Sequence, residues 1–145
     1  MLAINIHFLN ISRPASPLSE RIVPFVASLI RLLDDAQTQH PDITQVRSGS
    51  WLNSHPGFYT LFPDSWKRTE VPRYPLMSSS NGIWGQFMDR RGGFHTSNGS
   101  RFRETGEVPY PNTSCHSPIE EVLDFLKSTY PKAVHHNQVR SADDP

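Results

Sequence analysis

At 145 residues the chain has the length of one ordinary domain, enough to bury about 68–70% of its unfolded surface around a single core. A hydrophobic share of 36% against 19% charged residues excludes a disordered chain, and 13 prolines require many irregular connections. Fourteen basic and fourteen acidic residues leave no formal charge, and so no global field to draw the chain to nucleic acid or an anionic membrane.

Leu2, Ile4, Ile6 and Phe8 alternate with Ala3, Asn5, His7 and Leu9, the period of a half-buried strand, with His7 on the side away from the isoleucines. After a turn-rich loop, Ile22, Phe25, Val26, Leu29, Ile30, Leu32 and Leu33 recur at helical spacing as far as Gln39. Pro24 bends this helix if it begins at Glu20. Residues 43–53 read as a second strand, and PGFYTLFPDSW as short helical turns broken by Pro63. Residues 71–81, with two prolines and three serines, read as a surface loop. Residues 82–88 read as a third strand, with Ile83, Gly85 and Phe87 on one side and Trp84, Gln86 and Met88 on the other. Asp89-Arg90-Arg91-Gly92-Gly93 then turns the chain. Ser117 as N-cap, Pro118 at the first helical position and Glu120 form a capping box for a helix over 118–129, striped by Ile119, Val122, Leu123 and Leu126. Residues 132–145 lack periodicity and read as a mobile tail behind a domain of 1–131. The expected fold is an α/β domain with a mixed sheet of about five strands and two principal helices.

The charges are uneven. Lys67, Arg68, Arg73, Arg90, Arg91, Arg101 and Arg103 crowd a stretch holding only Glu70 and Asp89 as acids, and Glu120, Glu121 and Asp124 make the closing helix acidic. The Arg90–Gly93 turn lacks the helix that completes a phosphate loop and the spacing of a coenzyme A pyrophosphate motif, so it reads as a hairpin tip. Arg101 and Arg103 share a face if extended and would there chelate a carboxylate or phosphate; on a helix they diverge, and surface ion pairing is the plainer reading. Cys115 and His116, just before the closing helix, suggest a thiol activated by the helix dipole and an adjacent imidazole, although a lone cysteine is more often a small buried hydrophobe. The seven histidines form no metal-binding spacing, so no metal is expected. Trp66, Trp84, Phe87, Phe94 and Phe102 among arginines could stack on single strands, but zero net charge and no recognisable module argue against nucleic acid.

A single cysteine fits a reducing compartment, the first residues read as a strand rather than a signal peptide, and no apolar run reaches the ~18–20 residues of a membrane span. The expected location is cytoplasmic. The three glycosylation sequons, at Asn10, Asn98 and Asn112, are read as chance matches.

Taken together, INIHF…PLSE, GSWLNSHPGFYTLFPDSW, GIWGQFMDRRG and FRETGEVPYP…CHSPIEEVLDFL resemble, from Ile4 to Tyr130, the GNAT-like C-terminal domain of bacterial acyltransferase-domain proteins. The resemblance implies a GNAT-like fold and marks His7, Ser50, Trp51, Trp84, Gln86, Arg103 and Cys115 as its recurring polar and aromatic positions. It implies a small-molecule acyltransferase with acyl-CoA as donor, although the pyrophosphate motif is absent. His7 or His116 would be the base, with Cys115 the alternative nucleophile. Ser50, Trp51, Trp84 and Gln86 would line the site, and Arg101 and Arg103 would hold an anionic group. The alternative is a non-catalytic ligand-binding or accessory module on a degenerate form of the same fold; under either reading the expected partners are a small molecule and a second copy or a separate partner domain. A pocket uniting His7, Gln86 and Arg103 distinguishes the two.

Overall fold

A computed structural model describes residues 2–73 and 81–143. It shows an α/β chain with a four-stranded mixed sheet. The strands are β1 (Leu2–Asn5), β2 (Ile43–Ser50), β3 (Val71–Pro72) and β4 (Thr113–Pro118), in the order β1-β2-β4-β3. β1 pairs in parallel with β2, and β4 is antiparallel to both of its neighbours. The crossover between β1 and β2 is helix α1 (Ile22–Gln39). Pro24 is its third residue, where a missing N–H costs nothing, so no bend is required. Val26, Leu29, Ile30 and Leu33 of the expected stripe are buried, whereas Leu32 is exposed.

β2 ends at Ser50 and not at Asn53, because the chain tightens into a 3-10 turn over Trp51–Ser54. Ser50 caps it, its hydroxyl accepting from Leu52 N (3.1 Å). Two short helices follow, α2 (Pro56–Tyr59) and α3 (Asp64–Arg68), split by Pro63 as expected. Phe62 and Trp66 stack across the break at 4.0 Å and 14° and anchor both helices in the core. Most of the expected 71–81 loop, residues 74–80, lies outside the described residues.

The strand expected over 82–88 is a 3-10 helix, Asn81–Phe87. Its buried positions are Ile83, Gln86 and Phe87, a helical spacing, while Trp84 and Met88 stay exposed. Gln86 favours this conformation by donating its side-chain amide back to Ile83 O (3.0 Å). The Asp89–Gly93 turn is tight as expected: one Asp89 carboxylate oxygen accepts from the backbone N–H of Arg91 and Gly93, both at 2.8 Å, and Met88 pairs with Phe94 across it. Those donors hold the Asp89 carboxyl below its ordinary pKa. Arg90 pairs with Glu20 (3.1 Å), so the tip is tied to the loop before α1.

Helix α4 (Thr96–Thr105) occupies the stretch in which Arg101 and Arg103 would have been extended. β4 then runs without a break into helix α5 (Ile119–Thr129). The expected capping box does not form: Ser117 is fully buried in β4 opposite Val46, its hydroxyl 2.5 Å from that of Ser65, and Pro118 is the N-cap. Strand pairing claims Ser117 before the helix can. The expected tail is helical too. Helix α6 (Pro131–Asp143) buries Ala133 in the core, and Asn137 donates to Ala27 O of α1 (2.8 Å). Its apolar stripe is too thin to see in the sequence, and packing on α1 supplies what local pattern lacks. α1 and α5 lie over one face of the sheet, with α6 packed on both helices, and Ile6, Val46, Cys115, Ile119, Val122 and Leu126 close the core there.

Candidate functional site

The expected site residues fall into three separate places. Cys115, Ser50 and Gln86 are structural. Cys115 is 0% exposed, on the core side of β4, and burial pushes its thiol up to about 12. Alternation along the strand sends Cys115 inward and His116 outward, so the two cannot cooperate. Gln86 is buried and its amide is fully engaged. Nε2 donates to Ile83 O and Tyr110 O (3.1 Å), and Oε1 accepts from Tyr110 N (2.9 Å). It clamps the 3-10 helix to the loop that leads into β4. Trp51 stacks on Tyr110 (5.9 Å, 30°) and meets His55 edge-on; burial lowers the His55 pKa. Asn53, missed in the sequence, is wholly buried and ties the diverging strand ends together through Ser48 O (3.1 Å) and Thr113 O (2.9 Å).

Trp84, Arg101 and Arg103 belong to a second place, the outer surface of the 3-10 helix and α4. Trp84 packs edge-on against Phe102 (6.3 Å, 88°), and Arg103 lies over Phe94 (5.9 Å) and donates to Ser100 Oγ (3.1 Å). Arg101 and Arg103 are both exposed and diverge around the helix, so they do not form the expected chelating pair. His7, Gln86 and Arg103 therefore do not converge. Gln86 is buried, while the other two stand exposed on different elements, and no contact among the described residues joins them. Grooves of about 590 and 340 Å³ lie instead along α1 and α6, and neither is lined by any of these residues.

The third place brings two expected residues together. With the helices on one side, the other side of the sheet carries the outward residue of every strand. Register aligns Asn5 with Arg47 and Arg47 with His116, so these three form one rung across β1, β2 and β4, spanning about 10 Å. Ile6 N donates to Arg47 O (2.9 Å) and continues the pairing past β1. His7 thus stays on this face, with Asn5 Nδ2 2.8 Å from its Nε2. Thr69 seals the far edge: its hydroxyl donates to His116 O (2.6 Å) and accepts from His116 N (2.9 Å), standing in for a missing strand partner.

A second arginine completes the face. Gly49, two residues beyond Arg47 and on the same side, has no side chain, and the Arg73 guanidinium lies in that space; a Cβ at 49 would collide with Nη1 and Cζ. The outward set is Ala3, Asn5 and His7 on β1 and its extension, Gln45, Arg47 and Gly49 on β2, Ser114, His116 and Pro118 on β4, and Val71 with Arg73 at the edge. It contains two arginines, two imidazoles, amides and a hydroxyl, and no carboxylate. Neither arginine forms an ion pair with a described residue. The nearest acid in the chain, Glu70, points the other way and accepts from the Tyr59 hydroxyl (2.6 Å). None of the described ion pairs joins Arg101 or Arg103 to Glu104, Glu107 or the acids of α5.

No protein-family model, curated protein or solved structure matches this chain.

Arg47, Arg73 and Asn5 escaped the sequence reading. The available signal was Arg47 in phase with Gln45 and out of phase with Val46 inside an expected strand; which strands stand beside it was not written there. No group of His, Cys, Asp and Glu among the described residues could hold a metal, and no helix among them is long and apolar enough to cross a membrane.

Proposed function

We propose that this chain is a non-catalytic binding module for a small phosphate-bearing or carboxylate ligand, held on the open face of its sheet. The carrying observation is the Asn5–Arg47–His116 rung with Arg73 and His7 beside it, on a face without a compensating carboxylate. Guanidinium forks match phosphate and carboxylate oxygens in pairs, and imidazole and amide N–H groups add further donors. Among the described residues the face bears no phenylalanine, tyrosine or tryptophan ring, so its only stacking groups are imidazoles and guanidinium planes, which favours a compact anion over single-stranded nucleic acid.

What supports binding over acyl transfer is the dispersal of the catalytic groups. The thiol is buried with a raised pKa, and the two imidazoles are exposed to water on the sheet face. The pyrophosphate of an acyl donor is one anion of the class this face would accept, and a GNAT-like ancestry would account for a module that retained such affinity without turnover.

The test is an NMR titration of 15N-labelled chain with inorganic phosphate, coenzyme A and acetate in turn. Saturable shifts at residues 5, 47, 49, 114 and 116, lost in Arg47→Ala and Arg73→Ala while the melting temperature holds, are the expected result. Absence of shifts on this face at millimolar phosphate and coenzyme A refutes the assignment. Release of free thiol from acyl-CoA by the wild-type chain, dependent on an added amine or hydroxyl acceptor and matched by acylated acceptor, would restore the transferase.

A further inference from the structure

Four outward positions frame a small rectangle on the sheet face. Arg47 and Gly49 stand two residues apart on β2, and His116 and Ser114 oppose them on β4. Its sides are about 7 Å along the strands and about 5 Å across them, the footprint of one compact group. Arg73 enters this rectangle from outside. Its N–H donates to Asn112 O (3.1 Å) and so continues β3, which the sheet order separates from β2 by the whole width of β4. The side chain therefore lies across β4 to bring its guanidinium over Gly49. Arg47 starts from β2 itself, and alternation points it off the same face. The two guanidinium groups thus reach the rectangle from different directions, and both residues are exposed.

Building on the anion site proposed for the sheet face, on which this step rests, we infer that the site selects a terminal phosphate group, the end of a phosphomonoester, over carboxylates and phosphodiesters, and that Gly49 sets the selectivity by seating Arg73. A carboxylate has two oxygens in one plane, and a single guanidinium fork engages both. A phosphodiester likewise offers two unesterified oxygens. A terminal phosphate presents three in a tetrahedral array, with a charge of about −1.5 to −2 at pH 7. It fills one fork and still offers an oxygen to a second guanidinium set at an angle to the first, with the His116 ring as a further donor on the β4 side. Only a residue without a side chain at 49 permits this, because a Cβ there would collide with Arg73 Nη1 and Cζ. Gly49 has no positive φ, so the site uses its missing Cβ and not its backbone freedom.

Titrating the full 15N-labelled chain with methyl phosphate, dimethyl phosphate and acetate reads the selectivity. Methyl phosphate should bind at least about tenfold tighter than either of the others. Gly49→Ala suits an extended backbone and displaces only the far end of a flexible side chain, so the melting temperature should hold while the methyl phosphate-to-acetate affinity ratio falls at least about fivefold. Arg73→Lys keeps the charge and loses the fork, and should lower the ratio likewise. A ratio that survives either substitution overturns the assignment, since charge alone then accounts for the preference. Acetate or dimethyl phosphate binding the wild-type chain as tightly as methyl phosphate also overturns it, while leaving the anion face standing. Saturable shifts with none of the three overturn the selectivity and the anion face together.

Discussion

Replacing Gln86 by leucine separates a structural amide from a substrate-binding one. The amide makes three hydrogen bonds, to Ile83 O, Tyr110 O and Tyr110 N, from a side chain that is 2% exposed. Leucine fills a similar volume and removes all three, leaving the Tyr110 N–H and carbonyl without their partner. Orphaning a buried backbone group costs about 1–3 kcal/mol, and Tyr110 is only partly buried, so two such groups at the lower end give a loss of about 2–4 kcal/mol. In urea unfolding, with a slope of about 1–3 kcal/mol per molar, the midpoint should fall by about 1–2 M with the slope unchanged. Since Gln86 lies away from the sheet face, phosphate shifts at Arg47 and His116 should persist in the folded variant. A loss of stability below about 1 kcal/mol refutes the clamp. Were that loss accompanied by abolished ligand binding, Gln86 would instead be a ligand contact.

Four further outcomes follow from the same geometry. Cys115 should resist a disulfide-exchange reagent at pH 8 in the native chain and react fully in denaturant. Because the folded thiol is raised to about 12 from an ordinary 9.0, the unfolded chain loses that proton first, and stability should fall as pH rises from about 9 towards 12. Burial lowers the folded pKa of His55 below 6.5, so the unfolded chain binds the proton first and stability should fall as pH drops below 6.5. Melting temperatures at pH 7.5 and 5.5 should show a smaller acid loss in His55→Phe than in the wild type. Ala133→Asp, at a position with 0% exposure in α6, buries an unpaired charge. It should cost about 2 kcal/mol or more, a drop of at least about 4 °C, whereas a dispensable tail would show no change.

The sequence by itself determined the elements whose apolar pattern is long and periodic. The stripe of α1, the stripe of α5, the split of α2 from α3 at Pro63 and the Asp89–Gly93 turn all follow from local chemistry: burial spacing, the missing N–H of proline, and a carboxylate that accepts from its own turn. His7 away from the isoleucines was equally legible, because alternation along one strand needs no partner. Where two local patterns competed, only the tertiary structure decided. Residues 82–88 alternate well enough for a strand, yet Gln86 finds its partners at Ile83 and Tyr110 in a helical turn; Ser117 suits an N-cap, yet β2 pairs with it first. The candidate site depended on tertiary structure most of all. Asn5, Arg47 and His116 are scattered through the chain, and the residue at 73 reaches them only because position 49 lacks a side chain. Strand order and register set which outward residues become neighbours, and they arise from contacts between distant segments that no window of sequence contains.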